Sequence, residues 1–508
     1  GYPWAYTQRP KETLPMIRDF GGGSPCGGYV YCDDGLPEMY RGRIFHCEWG
    51  QGKVAAVKVT PDGAGFKFVD QIEFLLPSGV KDFRPFSLRP TADGRGFYVT
   101  DWGFSGWLSK VKTGRLWKVT YTGDDVKPVP RGKDTDSIEE LIKGLDHPAH
   151  TERLRAQRAL IARAEEAIPA LEKSIKAEKH SPRSRHHLLW IAATSNVPGY
   201  ADFLLRATRD KEASVRLEAA RLFPTLLHFG KRSEEVWGKA EVVYRLLDQW
   251  EQMVEKDPDP QVRLHAALAI RGSDGYPALS ALEKEGDPQL RFALMQSLKR
   301  YTNRAWLSKQ PFVPKSGALD GLFLALTDVY DLETVSLLHN YRNDPPPRVR
   351  QRAIEILARV YKDRKPYAGG WWGTQPAGQK PPARVVAWEG TPKVRAAILG
   401  ALADKDAGVR KAAVTALISM SDPETLQPLI EQFDAEKDAA ARVDLVRAIA
   451  GLPPAKTTDF LVGILKDGKN AEALRLETIA GLETSKTPPA LASLATAAAP
   501  TEPVALQI

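Results

Sequence analysis

The sequence predicts a chain of two fold classes: a partial β-propeller of about two all-β blades over residues 1–123, then an all-α solenoid of stacked helical pairs over residues 138–497. Three observations carry that prediction. A single apolar register recurs along most of the chain, short β-rich runs fill its beginning, and a charged, proline-containing stretch separates the two.

The β part comes first. Between Gly28 and Tyr121 lie seven runs rich in β-branched and aromatic residues: GYVYC, GRIFHCEW, KVAAVKV, FKFVDQIEFL, RPFSL, GFYVTDW and GRLWKVTY. Pro61-Asp62-Gly63 and Asp93-Gly94 mark tight turns, in which Asp closes a local hydrogen bond and Gly takes positive φ. Evenly spaced meandering strands suggest propeller blades of four strands each, so the segment holds one full blade and three strands of a second. His46 and Cys47 are neighbours on an alternating strand and are expected to point to opposite faces, which argues against a joint nucleophile or metal site. Cys26, Cys32 and Cys47 are odd in number and lack CxxC spacing, which argues against a zinc site or a disulfide framework, although one pair could form; no CxxCH is present for covalent haem.

Residues 124–137, DDVKPVPRGKDTDS, are charged, poor in apolar residues and carry two prolines, and read as a linker. The register that follows is clearest in Val409–Met420, where Val409, Ala413, Ala416, Leu417 and Met420 form one stripe of a 3.6-residue helix. An arginine follows the first apolar position, as in Val215-Arg216, Val349-Arg350 and Ala441-Arg442, and more loosely at Arg155, Arg185, Arg263, Arg291, Arg395 and Arg475. Spacings near thirty between several of these arginines mean helical pairs stacked in an array. Asp259-Pro260, Asp287-Pro288 and Asp422-Pro423 each precede a helix, where Asp caps free amides and Pro at the first helical position loses no bond. This is a HEAT-type layout, and its arginines are expected to pair with the Asp of a neighbouring repeat. His186 and His187 are expected to be solvated, since nothing four residues on completes a metal pair.

One tract is not required by helical packing. Residues 363–390 hold Trp371, Trp372 and Trp388 among four prolines and five glycines. A long aromatic loop in a compact array is functional or docked. The three tryptophans are expected either to cover the solenoid's own edge or to dock a partner. The tail 498–508 reads as the start of another linker.

In order along the chain, SPCGGYVYCDDGLPEMYRGRIF, DFRPFSLRPTADGRGFYVTDWG and GRLWKVTY resemble the last two blades of the glucose/sorbosone dehydrogenase-type propeller, whose enzymes use pyrroloquinoline quinone (PQQ). Followed by LDHPAHTERLRAQRAL and the tract PYAGGWWGTQPAG, they resemble the large membrane-bound dehydrogenase-like proteins of planctomycetes and relatives, which add HEAT repeats and often a cytochrome c domain. That resemblance implies a fragment of an extracytoplasmic sugar or alcohol dehydrogenase, with PQQ bound in the complete protein, haem c on a domain outside this chain, and a solenoid that docks partners or the protein's own missing domains. The family's catalytic histidine belongs to an early blade that is not in this sequence. Its quinone-facing basic residue is also missing, because the matching place reads Gly50-Gln51-Gly52. Arg84 remains as the one cofactor-binding candidate, its alternative being a structural charge paired with Asp82 or Asp101. No catalytic or metal residue is assigned, and the chain alone is expected to be inactive. The alternative function is a non-catalytic scaffold for protein partners.

Charge narrows the partner classes. The formal net charge of +8 comes from 71 Lys+Arg and 63 Asp+Glu spread along the chain without a basic block, so nucleic acid is not expected. No apolar run is long enough to span a membrane.

Overall fold

Among the described residues of the β part there are seven strands: β1 (Pro25–Val30), β2 (Ile44–Glu48), β3 (Lys53–Asp62), β4 (Gly65–Leu75), β5 (Pro85–Pro90), β6 (Gly96–Asp101) and β7 (Arg115–Thr120). They form two antiparallel meanders, one in the order β1-β2-β3-β4 and one in the order β5-β6-β7. The computed structural model describes residues 14, 16–21, 23–103, 113–177, 179–228, 240–269, 276–300, 316–327, 329–364 and 385–498. It divides into two units, residues 1–297 and 298–508.

Alternation builds the core between the two sheets. Phe45 and Cys47 of β2, Val54 and Ala56 of β3, Leu88 of β5, and Phe97 and Val99 of β6 meet there with Tyr31. His46, between two core residues, turns away and packs on the Phe20 ring at 5.0 Å, so it shares no face with Cys47. The three cysteines are unbonded. The Tyr31 hydroxyl is fully used: it donates to Gly94 O (2.7 Å) and accepts from the amides of Gly35 (2.9 Å) and Leu36 (2.8 Å). Gly63 and Gly94 take φ of +59° and +71° in the two expected turns.

Residues 124–137 contain no helix or strand until the first helix, and they are tied at both sides. Asp34 accepts the Val129 amide and pairs with Arg131, while Glu152 accepts the Gly132 amide.

The helices of the first unit alternate between two layers. One layer holds α2 (His150–Ala162), α4 (Pro182–Ser195), α6 (Ala213–His228) and α8 (Pro260–Ala269), each packed on the next. The other holds α1 (Ile138–Gly144), α3 (Ala164–Lys176), α5 (Tyr200–Ala207), α7 (Ala240–Lys256) and α9 (Tyr276–Lys284). The last helix is α10 (Pro288–Arg300), whose Ser297 hydroxyl donates to Ala267 O of α8. Helix starts follow the capping chemistry of the sequence: Ser137 and Glu140 form a reciprocal capping box, and Asp259 Oδ1 accepts the amides of Gln261 and Val262. Asp287 does two things. Its Oδ1 caps α10 through Gln289 N and Leu290 N, both at 2.9 Å, while its Oδ2 accepts the Ala64 amide of the β3–β4 turn at 2.8 Å.

In the second unit the inner register belongs to α13 (Pro347–Arg359), α15 (Ala407–Met420), α17 (Ala439–Ala450) and α19 (Glu472–Ser485), packed in sequence. The remaining helices are α11 (Ser316–Leu326), α12 (Leu332–Tyr341), α14 (Thr391–Gly400), α16 (Leu426–Ala435), α18 (Pro454–Lys466) and α20 (Pro488–Ala497). Val409, Ala413, Ala416, Leu417 and Met420 are all buried, as one stripe requires. The register arginines pair across repeats: Arg185 with Asp210 and Arg216 with Asp257 in the first unit, Arg350 with Asp404 and Arg395 with Asp422 in the second.

Candidate functional site

Each of α2, α4, α6 and α8 buries one stripe, and on the same layer the residues beside that stripe line a hollow of about 700 Å³. Helix α2 contributes His150, Arg153 and Gln157, and α4 contributes Arg183, His186, His187 and Trp190. Glu218 and Arg221 come from α6 and His265 from α8. Four of the chain's nine histidines are gathered here, so the hollow is chemically unlike the rest of the solenoid.

The positions obey the repeat. Counting from the register arginines Arg155, Arg185, Arg216 and Arg263, two residues later come Gln157, His187, Glu218 and His265; Trp190, Arg221 and Leu268 stand five later. Arg153 and Arg183 stand two earlier. Successive helices therefore place the same repeat positions side by side. In the second unit, two residues after Arg350, Arg410, Arg442 and Arg475 stand Arg352, Ala412, Asp444 and Glu477, with no histidine or aromatic among them.

His187 is the best-fixed member and corrects the expectation of a solvated pair. It is only 8% exposed, because its neighbours come from α2 and not from its own helix. Its Nδ1 lies 2.6 Å from Gln157 Oε1, and Arg153 Nε donates to its Nε2 at 3.3 Å, which assigns the neutral Nδ1–H tautomer. Burial, reinforced by the Arg153 charge, pushes its pKa down to about 3. His186, half-buried, lies 3.2 Å from Ser214 Oγ through Nε2. Burial holds His150, His186 and His265 below the ordinary imidazole value too, so all four rings are neutral at pH 7.

The charges are unequal. Glu218 is shared between Trp190 Nε1 (3.0 Å) and Arg221 Nη1 (3.1 Å). Arg153 is buried, and its Nη1 donates to His147 O (2.7 Å) and Pro148 O (2.9 Å). Burial and the nearby Arg183 lower its pKa. At one end the β part closes on α2: His150 N donates to Cys32 O at 3.1 Å, and Asp33 Oδ1 accepts the Thr151 amide at 2.8 Å.

The residues singled out from sequence lie elsewhere. The Arg84 guanidinium donates to Phe83 O at 2.9 Å and lies 5.7 Å from the Trp49 ring centroid, while its backbone amide, not its side chain, binds Asp101. Asp101 pairs instead with Arg115 at 2.7 Å. Trp371 and Trp372 lie outside the described residues. Trp388 covers its own unit: Nε1 donates to Val360 O at 2.9 Å and its ring meets Tyr330 edge-on at 6.0 Å. Among the described residues no three His, Cys, Asp or Glu converge to hold a metal ion. Among those residues, too, no helix is long and apolar enough to cross a membrane.

Residues 382–444 match the HEAT repeats family. No functionally curated protein matches the chain. Among solved structures, the chain is similar to E. coli YibA at 16% identity, covering 63% of this chain and 93% of that one, with a TM-score of 0.28. It is also similar to Kap121p at 13% identity, covering 71% of this chain and 46% of that one, with a TM-score of 0.32. A complex of the karyopherin Kap121p with the SUMO protease Ulp1p matches at 14% identity, over 68% and 44% of the two chains, with a TM-score of 0.33. The chain thus spans less than half the length of the Kap121p structures it matches.

Proposed function

We propose that this chain is a protein-binding scaffold, with the layer α2, α4, α6 and α8 as its receiving face and the β part as a wall at one end of it. The observation that carries this reading is the hollow itself. It combines a tryptophan, several guanidiniums and fixed neutral imidazoles in one concavity, and aromatic residues and arginine are the side chains that most often anchor protein interfaces. The HEAT-repeat match in residues 382–444 supports an array of helical pairs in the second unit.

A photoreactive benzoylphenylalanine at Leu154, on the hollow, tests the proposal against the same group at Lys466, which is exposed on α18. The expected result is a crosslinked protein at Leu154 that is absent at Lys466 and lost when Trp190→Ala is added. Equal crosslinking at both positions, or no dependence on Trp190, would overturn it.

The quinone-dehydrogenase reading is second. In its favour is the strand order, a meander of four followed by a meander of three around one core, which suits consecutive propeller blades. Against it, the Arg84 guanidinium is turned to Phe83 O and Trp49. Dye reduction by this chain with added PQQ and sugar would reverse the ranking.

A further inference from the structure

We infer that the hollow receives an acidic segment of a partner protein, presenting two or more carboxylates to Arg183 and Arg221 beside the Trp190 ring. The inference deepens the scaffold reading and rests on it.

Charge complementarity is the first argument. With the imidazoles neutral, the lining carries three guanidiniums, Arg153, Arg183 and Arg221, against one carboxylate, Glu218. Glu218 is already engaged by Trp190 and Arg221. Arg153 is 9% exposed, and its named partners are two backbone carbonyls and the nitrogens of His150 and His187, none of them an anion. Asp33 and Asp146 act on it only as more distant charges. A buried cation without an adjacent anion is destabilised, and an incoming carboxylate offsets that. Arg183 is exposed at the rim, with no ion pair among the described residues, and Arg221 has half its side chain in solvent. A guanidinium can take a carboxylate through paired N–H groups, and Arg221 has donors beyond the Nη1 that Glu218 uses.

The second argument is geometric. At the α2 end of the hollow, whose volume is about 700 Å³, the β part closes on the backbone of His150. Nucleic acid is bound along a line of phosphate contacts, and here a carboxylate interrupts the cations. A few residues of extended chain, with Trp190 packing against an apolar neighbour of the acids, fit the space better.

The test uses the full chain and fluorescence anisotropy with three probes: a short Glu/Asp-rich peptide containing one leucine, its Gln/Asn analogue, and an oligo-dT strand. The acidic peptide is expected to bind, with its affinity falling as salt rises, and the amide analogue to bind roughly tenfold more weakly or less. Arg183→Glu, a rim substitution, should weaken the acidic peptide by about tenfold and Arg183→Gln by less, whereas Lys466→Glu changes nothing. Circular dichroism of each variant confirms that the helices remain. Equal affinity for the amide analogue, or unchanged binding in Arg183→Glu, overturns the inference; so does oligo-dT binding without peptide binding, which would give the hollow to nucleic acid. A protein that crosslinks at Leu154 while the acidic peptide neither binds nor competes would remove this inference and leave the scaffold reading standing.

Discussion

Replacing Arg350 with Met should loosen the second unit at the joint between α13 and α15. Arg350 Nε and Nη2 each lie 2.8 Å from a different oxygen of Asp404, and its Nη1 donates to Asp344 O (2.9 Å) and Pro345 O (2.7 Å). The two side chains are 6% and 15% exposed. Methionine fills much of the volume but leaves Asp404 with the Asp406 amide as its remaining named donor, and two carbonyls without theirs. Removing one partner of a buried pair costs about 3–5 kcal/mol; because Asp404 keeps some solvent and one amide, about 3 kcal/mol is the expected loss. The double variant with Asp404→Asn should recover part of it, since the orphaned charge is gone. Urea unfolding followed by amide exchange in α15 reads the change. The Arg350 guanidinium holds the Asp404 carboxyl below the usual range, so the pair's stability is present above the unfolded carboxylate pKa and is lost as pH falls through the folded one. Arg350→Met should flatten that acid limb. A loss below about 1 kcal/mol with the acid limb intact would show that the pair contributes no more than a surface ion pair.

Three further outcomes follow from the geometry. His187, neutral in the fold with a pKa near 3 against 6.5 unfolded, makes α2 and α4 lose stability as pH falls from about 6.5 towards 3, because the unfolded chain takes up a proton that the folded one refuses; a His187 NMR titration with its midpoint near 6.5 would contradict this. Asp287→Ala removes the α10 cap and the Ala64 contact together, so about 1–2 kcal/mol should be lost, with faster amide exchange at Ala64, and Asp287→Asn should restore the cap more fully than the turn. Trp388→Phe should lose about 1 kcal/mol for the Val360 hydrogen bond, and Trp388→Ala more, because the contact with Tyr330 goes as well; equal losses on thermal melting would mean that the ring packing contributes nothing.

What could be read from sequence was whatever repeats within one element. The apolar stripe of Val409–Met420 predicted a buried face, and every member is buried. The seven β-rich runs each contain a strand, and the Asp-Gly turns take the positive φ that Gly allows. The arginine–aspartate ladder was legible because capping Asp and register Arg recur with the repeat. Contacts between neighbouring helices were less visible. His186 and His187 were read for a metal partner one turn along their own helix, whereas His187 meets Gln157 and Arg153 on α2. A signal existed: aligning the repeats on their arginines puts Gln157, His187, Glu218 and His265 in one column. Arg84 was expected to bind a cofactor or to pair with Asp82 or Asp101, yet Arg115 is the cross-strand neighbour of Asp101 in the β6–β7 register and takes that carboxylate.

Two sets of arginines one turn or less apart therefore meet opposite fates. Four in the register, Arg185, Arg216, Arg350 and Arg395, find a carboxylate on a following repeat, Arg216 meeting Asp257 in a two-pronged contact, and their charge is cancelled where the helices join. Those two residues earlier, Arg153 and Arg183, line the hollow instead, where Arg153 meets the nitrogens of His150 and His187 and two backbone carbonyls, and the one lining carboxylate, Glu218, is held by Trp190 and Arg221. A solenoid needs the first set, because each repeat must be fixed to the next. It gains nothing in stability from the second, which places buried or crowded cations around neutral rings. On the proposed reading that charge serves what the array receives, and the hollow beside Trp190 is where the described residues leave it.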